Sequence, residues 1–279
     1  MSQALEEVMT MWSGHSLFAV PMHNVLSITQ ETRDLHCLAF KGDAAVGVTP
    51  YRDIPVNVVD LAKLSGFASV TEEKLHLVEM LKQREQDHIF WINELEKAII
   101  NDQTFAYPRD AHNCQFGQWC QSYKTEDEEL YLALTDLSGP HDRLHGLADE
   151  LLTLSQAGHK EQALAQLQEQ RDSTLKELNH LLRRAATHIQ NSIRSVYLFL
   201  TLDGNSPCIA ILADEIASVE VVGDNAPVSI ESMGIPQKQT SLKFIRGYIH
   251  LKSDKDCLLI DVESLGAHNN LSETTLKTG

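Results

Sequence analysis

Residues 114–119 read C-Q-F-G-Q-W, a hexapeptide that places a cysteine at the predicted start of a helix. The free amide hydrogens and the helix dipole at such a position stabilise a thiolate. Gly117 allows the backbone to turn closely, and Phe116 and Trp119 are spaced to enter a core beneath it. Cys114 alone would be interpreted as a buried thiol, but this setting also favours a metal ligand.

Three histidines in the neighbouring helical stretches complete a candidate metal site. His141 and His145 are four residues apart, so they project from the same face of a helix. His88 should point into a helical core, because it interrupts the apolar stripe of residues 77–99. One thiolate and three imidazoles satisfy a tetrahedral zinc ion completely. The sequence therefore predicts a Zn²⁺ site formed by His88, Cys114, His141 and His145.

Composition excludes several classes of partner and compartment. The chain has 279 residues and a formal net charge of −16 without a basic stripe, which disfavours nucleic acid and anionic membranes. Its N-terminus lacks signal-peptide features, and no stretch approaches the roughly 18 apolar residues of a membrane span. The five cysteines form no C-x-x-C pair and are odd in number, so a disulfide framework is not expected. We therefore expect a cytoplasmic protein.

The hydrophobic period changes twice along the chain. Residues 16–66 and 195–266 have strand-like patterns, whereas residues 69–194 have a helical period. Neither β-region looks complete alone, and an up-down-up-down bundle returns its end beside its start. We therefore predict an α+β fold in which one β-domain is split by an inserted four-helix bundle. Two separate β-modules flanking the bundle are the alternative.

This interpretation predicts domain boundaries and helices. The expected domains are the first β-half at 14–67, the bundle at 69–194, the second β-half at 195–267 and a disordered tail at 268–279. Within the bundle, the expected helices run from a capping box at Ser69 and Glu72 to Ile100, from Phe116 to Leu137, through His141 and His145 to Ser155, and from beyond Gly158 to Ile193.

Three motifs of the helical region resemble the chemoreceptor zinc-binding (CZB) domain family. They are H-I-F-W at 88–91, the hexapeptide at 114–119 and P-H-D-R-L-H at 140–145, and the resemblance covers roughly residues 75–170. It implies a four-helix bundle that binds zinc through His88, Cys114, His141 and His145. It also implies a zinc- or oxidant-responsive module, commonly a homodimer, attached to bacterial signalling proteins.

The β-regions resemble the two halves of a CheW-like chemotaxis coupling domain. The resemblance rests on residues 18–28, on G-V-T-P-Y-R-D-I-P-V-N-V-V-D-L at 47–61 and on I-A-I-L-A-D-E-I-A-S-V-E-V-V at 209–222. It implies a split β-barrel domain of two SH3-like lobes. It also implies binding to a chemotaxis histidine kinase and to chemoreceptors, with Arg52 as a candidate partner contact.

The chain departs from the coupling-domain pattern beside Arg52. Asp53 stands where the family usually has glycine, and Asn57 where it usually has proline. Glycine adopts turn angles that aspartate adopts less readily, so we expect the turn after Arg52 to differ. This departure leaves open whether the usual kinase and receptor surfaces are retained.

Two kinds of metal enzyme are alternatives to a regulatory protein. Glu85 with His88, and Asp142 with His145, have the E-x-x-H-like spacing of ferritin-like di-iron bundles, and Glu128 or Glu129 could add a ligand. The fourth helix offers no clear inward partner, however. A hydrolytic zinc enzyme is disfavoured because four protein ligands leave no position for water.

We therefore predict a non-enzymatic cytoplasmic signalling adaptor in which Cys114 is the redox-sensing residue. Loss of zinc, or oxidation of the thiolate to a sulfenic acid, would remove one ligand and loosen the bundle. Two other functions remain open, namely a zinc-binding regulator of a non-chemotaxis partner and a protein in which zinc only stabilises the fold.

Overall fold

The computed structural model describes residues 7–31, 45–223, 227–228 and 243–273. The chain divides into two compact units, which are residues 1–73 with 193–279 (the β unit) and residues 74–192 (the helical unit). Residues 32–44 of the strand-like region at 16–66, which include Cys37, lie outside the described residues.

The β unit contains two five-stranded sheets in its described part, and each sheet takes strands from both sides of the helical unit. The strands that precede the helical unit are β1 (Glu7–Ser13), β2 (Ser16–Pro21), β3 (Val25–Gln30), β4 (Ala45–Tyr51) and β5 (Ile54–Asp60). Those that follow it are β6 (Val196–Thr201), β7 (Pro207–Ala213), β8 (Glu215–Val221), β9 (Ile245–His250) and β10 (Asp256–Ile260). The sheet orders are β8-β1-β2-β10-β9 and β3-β6-β7-β5-β4. The predicted α+β class is therefore confirmed.

Strands from both β-regions pack into one hydrophobic core. Met11 and Phe18, which precede the helical unit, are fully buried in one cluster with Leu198 and Ile211, which follow it. Two parallel strand pairs, β2 with β10 and β5 with β7, connect the regions through hydrogen bonds. The strand β1 was not predicted from the sequence. Its four consecutive residues from Val8 to Met11 are all buried, so it has no period-two alternation of apolar and polar residues.

The described α-helices comprise five longer segments and three short ones. The longer segments are α2 (Val70–Asn101), α5 (Ser138–Gln156), α6 (Lys160–Gln170), α7 (Lys176–Asn191) and α8 (Val262–Glu273). The short ones are α1 (Leu61–Ser65), α3 (Gln115–Ser122) and α4 (Glu128–Asp136). A π-helical segment at Arg171–Leu175 joins α6 to α7. The helix α8 extends to Glu273, beyond the start of the predicted tail at 268, and residues 274–279 lie outside the described part.

The predicted second helix, from Phe116 to Leu137, is interrupted, although its predicted end agrees with the end of α4 at Asp136. It breaks after Ser122, and α4 starts anew because the Asp127 carboxylate accepts a hydrogen bond from the Leu130 amide at 3.0 Å. Residues 138–140, which directly follow that end, form the first turn of α5. Proline is tolerated there because the first amides of a helix have no intrahelical acceptor.

Asp214 anchors the start of α2 within the β unit. It lies between β7 and β8, and its carboxylate accepts hydrogen bonds from the Ser69 hydroxyl at 2.9 Å and the Gly14 amide at 2.7 Å. The amides of Val70 and Thr71 donate to the same carboxylate at 3.2 and 3.1 Å. A carboxylate at this position accepts hydrogen bonds from the free amides of the first turn and interacts favourably with the helix dipole.

The predicted capping box of α2 forms only in part. The Ser69 hydroxyl accepts a hydrogen bond from the Glu72 amide at 3.2 Å, as expected. The Glu72 carboxylate, however, pairs with Lys63 at 2.9 Å rather than returning to the backbone of the cap.

The turn between β4 and β5 has left-handed backbone angles at both central residues. The φ angles are 46° at Arg52 and 69° at Asp53, as a two-residue turn of type I′ requires. Aspartate therefore adopts here a conformation that glycine adopts at lower cost. The Arg52 side chain is exposed, with its guanidinium carbon 5.4 Å from the centre of the Tyr51 ring.

We expect Asp53→Gly to raise the free energy of unfolding of the β unit by about 0.5–1 kcal/mol. Glycine has no Cβ atom, so it adopts the left-handed conformation without the steric cost that aspartate has there. Chemical unfolding monitored by circular dichroism would measure the change. Asp53→Ala is the control and should lower stability. A loss of stability in Asp53→Gly would contradict the described turn.

No helix in the described part of the chain is long and apolar enough to cross a membrane.

Candidate metal centre

The structure brings all four predicted ligand residues together inside the helical unit. His88 lies on α2, Cys114 immediately precedes α3, and His141 and His145 lie on the first turns of α5. One ligand atom from each side chain lies within 4.8 Å of the other three. The Sγ atom of Cys114 is 3.2 Å from Nε2 of His141. Ligand atoms around a tetrahedral zinc ion lie about 3.3–3.8 Å apart, given bonds of about 2.0–2.3 Å, so the cluster is close to that size.

Burial keeps the three histidines neutral. The exposed fractions of His88, His141 and His145 are 3%, 4% and 2%. Desolvation, together with the neighbouring histidines, lowers the pKa of His88 to about 4 and that of His141 to about 3. Desolvation also lowers the pKa of His145. Neutral imidazole is the form that binds metal, so no proton has to leave these rings near neutral pH.

Two backbone carbonyls fix the tautomers of His88 and His145. Nδ1 of His88 lies 2.6 Å from the Arg84 carbonyl oxygen, and Nδ1 of His145 lies 3.0 Å from that of Pro108. A carbonyl only accepts, so both Nδ1 atoms carry the proton and both Nε2 atoms present a lone pair. Nε2 of His145 is buried and has no hydrogen-bond partner among the described residues. An unpartnered lone pair directed into such a cluster fits a metal ion.

The turn that holds Cys114 requires a glycine three residues later, at position 117. Its sulfur accepts a hydrogen bond from the Gly117 amide at 3.3 Å and so caps α3. A Cβ atom on Gly117 would lie 1.9 Å from the Ala111 carbonyl oxygen. The sequence-based interpretation of this glycine as a close backbone approach is therefore supported by the geometry.

The protonation state of Cys114 differs from the sequence-based expectation of a stabilised thiolate. Burial raises the pKa of the Cys114 thiol, and this effect exceeds the opposing effect of the amide hydrogens of Gly117 and Phe116. Without a metal, Cys114 is therefore a thiol at neutral pH. Cys120, one helical turn and a half further on, is exposed.

Aromatic side chains enclose the cluster. The Phe116 ring centre lies 5.1 Å from that of His141 and 5.9 Å from that of His88. The Trp91 ring lies 4.8 Å from His145, and its Nε1–H donates to the same Pro108 carbonyl at 2.8 Å. Trp91 therefore holds the carbonyl that orients His145. Sequence reasoning missed this role, because the Pro108 carbonyl lies in an irregular segment that carries no side-chain signal.

The described structure does not favour a di-iron centre. The candidate cluster contains no carboxylate. Both carboxylate oxygens of Glu85 pair with the guanidinium of Arg183, and Asp142 is exposed. The acidic residues that precede His88 and His145 by three positions therefore do not join the cluster.

The arrangement agrees with a known family of zinc-binding domains. Residues 88–152 match the chemoreceptor zinc-binding domain. This segment contains all four clustered residues and lies inside the range of roughly 75–170 that the sequence motifs indicated, so the predicted resemblance is confirmed. No curated protein matches the chain.

One solved structure of a scaffolding protein matches most of the length of the chain. It is the scaffolding protein TtCheW from Thermoanaerobacter tengcongensis, with 9% sequence identity and a TM-score of 0.40. The similarity covers 92% of this chain and 85% of that one.

Proposed function

We propose that this chain is a non-enzymatic signalling adaptor whose helical unit binds one zinc ion through His88, Cys114, His141 and His145. The observation that carries the proposal is the clustering of four metal-ligating atoms within 4.8 Å. Zinc, when bound there, joins α2, the start of α3 and α5 through a closed set of four ligands. A closed set leaves no coordination position for a substrate, which supports regulation rather than catalysis.

The proposed output is coupling in bacterial chemotaxis. Support comes from the match of residues 88–152 to the chemoreceptor zinc-binding domain and from the CheW-like motifs in both β-regions. The partners we propose are a chemotaxis histidine kinase and the cytoplasmic part of a chemoreceptor, with exposed Arg52 as one contact. We further propose a cytoplasmic location and a homodimer.

The proposed stimulus is either the loss of the zinc ion or the oxidation of its Cys114 ligand. Cys114 is partly exposed, whereas the three histidines are buried, so a small oxidant such as hypochlorous acid can reach the sulfur first. A sulfenic acid binds zinc less well than a thiolate does. The bundle would then keep three nitrogen ligands around the metal.

Metal analysis and partner capture test this function together. We expect about one zinc per chain, and capture of the kinase or the receptor tail that changes when zinc is chelated or hypochlorous acid is added. Cys120→Ala should respond as the unsubstituted protein does, and Cys114→Ala should not respond to the oxidant. Two irons per chain would overturn the zinc site. Capture that zinc and oxidant leave unchanged would reduce the metal to a structural role.

The pH dependence of zinc affinity follows from the protonation states of the ligands. The pKa values of His88 and His141, about 4 and 3, mean that these rings release no proton above pH 6. The pKa of Cys114 is raised, so its thiol proton must leave on binding. We therefore expect affinity to rise about tenfold per pH unit between about pH 6 and pH 8.

Competition with a chelator of known affinity at several pH values would measure this slope. Cys120→Ala should give the same slope, since that thiol does not take part in the cluster. A slope of two or more would show that histidine protons also leave, which would contradict the described burial of the rings.

A further inference from the structure

His141 differs from the other two histidines of the cluster in its hydrogen bonding. Nδ1 of His88 and Nδ1 of His145 each donate to a backbone carbonyl. The hydrogen bond that the structure shows for His141 is between Nε2 and the Cys114 sulfur. Within the described ranges, no acceptor reaches Nδ1 of His141. A metal-binding histidine almost always donates its second ring N–H to a partner, so one acceptor is missing from this set.

Asn179 is a buried acceptor without a partner. It lies on the core-facing side of α7, between the buried residues Leu175 and Leu182, and its exposed fraction is 7%. Its Oδ1 atom is inaccessible and accepts no hydrogen bond from the residues that the structure describes. Leaving a buried polar group unpaired costs about 1–3 kcal/mol. A leucine of similar size at this position would not carry that cost.

The contact between α5 and α7 places Asn179 level with His141. The chain turns back at residues 157–159, and it continues through α6 and the π-helical segment into α7, so α7 runs antiparallel to α5. Arg143 on α5 pairs with Glu177 on α7 at 2.6 Å. Asn179 lies two residues after Glu177. In an antiparallel pair it is therefore level with the residue two positions before Arg143, which is His141.

The contact between α2 and α7 leads independently to the same level. Arg171 pairs with Glu96 at 2.7 Å, and Arg183 pairs with Glu85, so the two helices are also antiparallel. Asn179 lies four residues before Arg183. It is therefore level with the residue four positions after Glu85, which directly follows His88. The asparagine thus lies at the level of the cluster on both neighbouring helices.

We propose that Asn179 is a positioning residue of the zinc site, whose Oδ1 accepts the Nδ1–H of His141 in the zinc-bound protein. This inference rests on the proposed zinc site. The hydrogen bond would hold His141 in the tautomer whose Nε2 faces the metal, as the carbonyls of Arg84 and Pro108 do for the other rings. It would also remove the cost of the unpaired Asn179 oxygen, but only in the metal-bound protein.

Two properties of Asn179→Leu test this proposal, because they should change in opposite directions. Zinc affinity, measured by chelator competition, should fall about 10- to 100-fold, which is typical for loss of such a partner. The melting temperature of the metal-free protein should stay the same or rise, because the unpaired buried amide is gone. A merely structural asparagine would instead lower the melting temperature and leave affinity unchanged.

Two further variants complete the experiment. Asn179→Asp keeps an acceptor and should retain affinity within a few-fold of the unsubstituted protein. Gln166→Leu removes another buried unpaired oxygen, on α6 and away from the cluster, and should leave zinc affinity unchanged.

The possible results separate this proposal from the zinc site on which it rests. Absence of zinc from the unsubstituted protein would overturn the proposed function. Zinc bound with equal affinity by the unsubstituted protein and by Asn179→Leu would overturn the role of Asn179 alone.

Discussion

Cys114→Ala should weaken zinc binding by about two to three orders of magnitude. The substitution removes the sulfur from a cluster in which it lies 3.2 Å from Nε2 of His141. A structural zinc site contributes about 10–16 kcal/mol through four ligands, so one ligand corresponds to roughly 2.5–4 kcal/mol. His88 and His145 keep their tautomers, because the Arg84 and Pro108 carbonyls do not depend on the thiol. Chelator competition would measure the affinity.

Cys120→Ala is the matched control for this result. Cys120 is an exposed thiol six residues further along the chain, and it is not part of the cluster. Its substitution should leave affinity unchanged within experimental error. Equal affinities of Cys114→Ala and Cys120→Ala would show that the sulfur of Cys114 is not a ligand.

Gly117→Ala should destabilise the helical unit by about 2–3 kcal/mol and weaken zinc binding as well. The added methyl group would meet the Ala111 carbonyl oxygen at 1.9 Å and the Ala111 carbonyl carbon at 2.9 Å. Both atoms are backbone, so relief requires movement of the segment that ends at Cys114 rather than a rotamer change. The movement would break the hydrogen bond from the Gly117 amide to the sulfur.

Gly146→Ala tests whether this effect is specific to Gly117. Gly146 follows His145 on the exposed side of α5, and a Cβ atom there would meet nothing within 4 Å. Alanine in a helix interior is favoured over glycine by about 0.5–1 kcal/mol. Thermal unfolding of the metal-free proteins should therefore show opposite shifts. Equal melting temperatures of Gly117→Ala and the unsubstituted protein would contradict the described turn.

The sequence predicted the four clustered side chains because their signals are local. The spacing of four between His141 and His145 defines a helix face, and the apolar stripe around His88 defines the inward direction. The hexapeptide added the position of Cys114. These patterns operate within one or two helical turns, so they can be read without tertiary information.

The groups that orient those side chains were not predictable in the same way. The Pro108 carbonyl acts from an irregular segment, and any residue at position 108 would present the same atom. The level of Asn179 depends on the register between helices, which Arg143 and Arg183 fix through contacts distant in sequence.

Two errors in the fold have physical causes of the same kind. The strand β1 lacks alternation because both of its faces are covered: Met9 and Met11 pack in one hydrophobic cluster and Val8 packs in another. The helix break before α4 results from the Asp127 carboxylate, which competes for amides that a continuous helix would have used internally.

The ends of the helical unit lie beside each other, and this has a consequence for folding. Nζ of Lys74, the first residue of the unit, donates to the carbonyl of Ser192, its last residue, at 3.1 Å. The pairing of β5 with β7 joins strands that are separated in sequence by the entire helical unit. Closing such a long loop while it is flexible costs conformational entropy, so the pairing would form slowly. A helical unit that folds first from local contacts would replace that loop by a short rigid span. The order of assembly during synthesis would then run from the helices to the sheets, although the chain begins with strands.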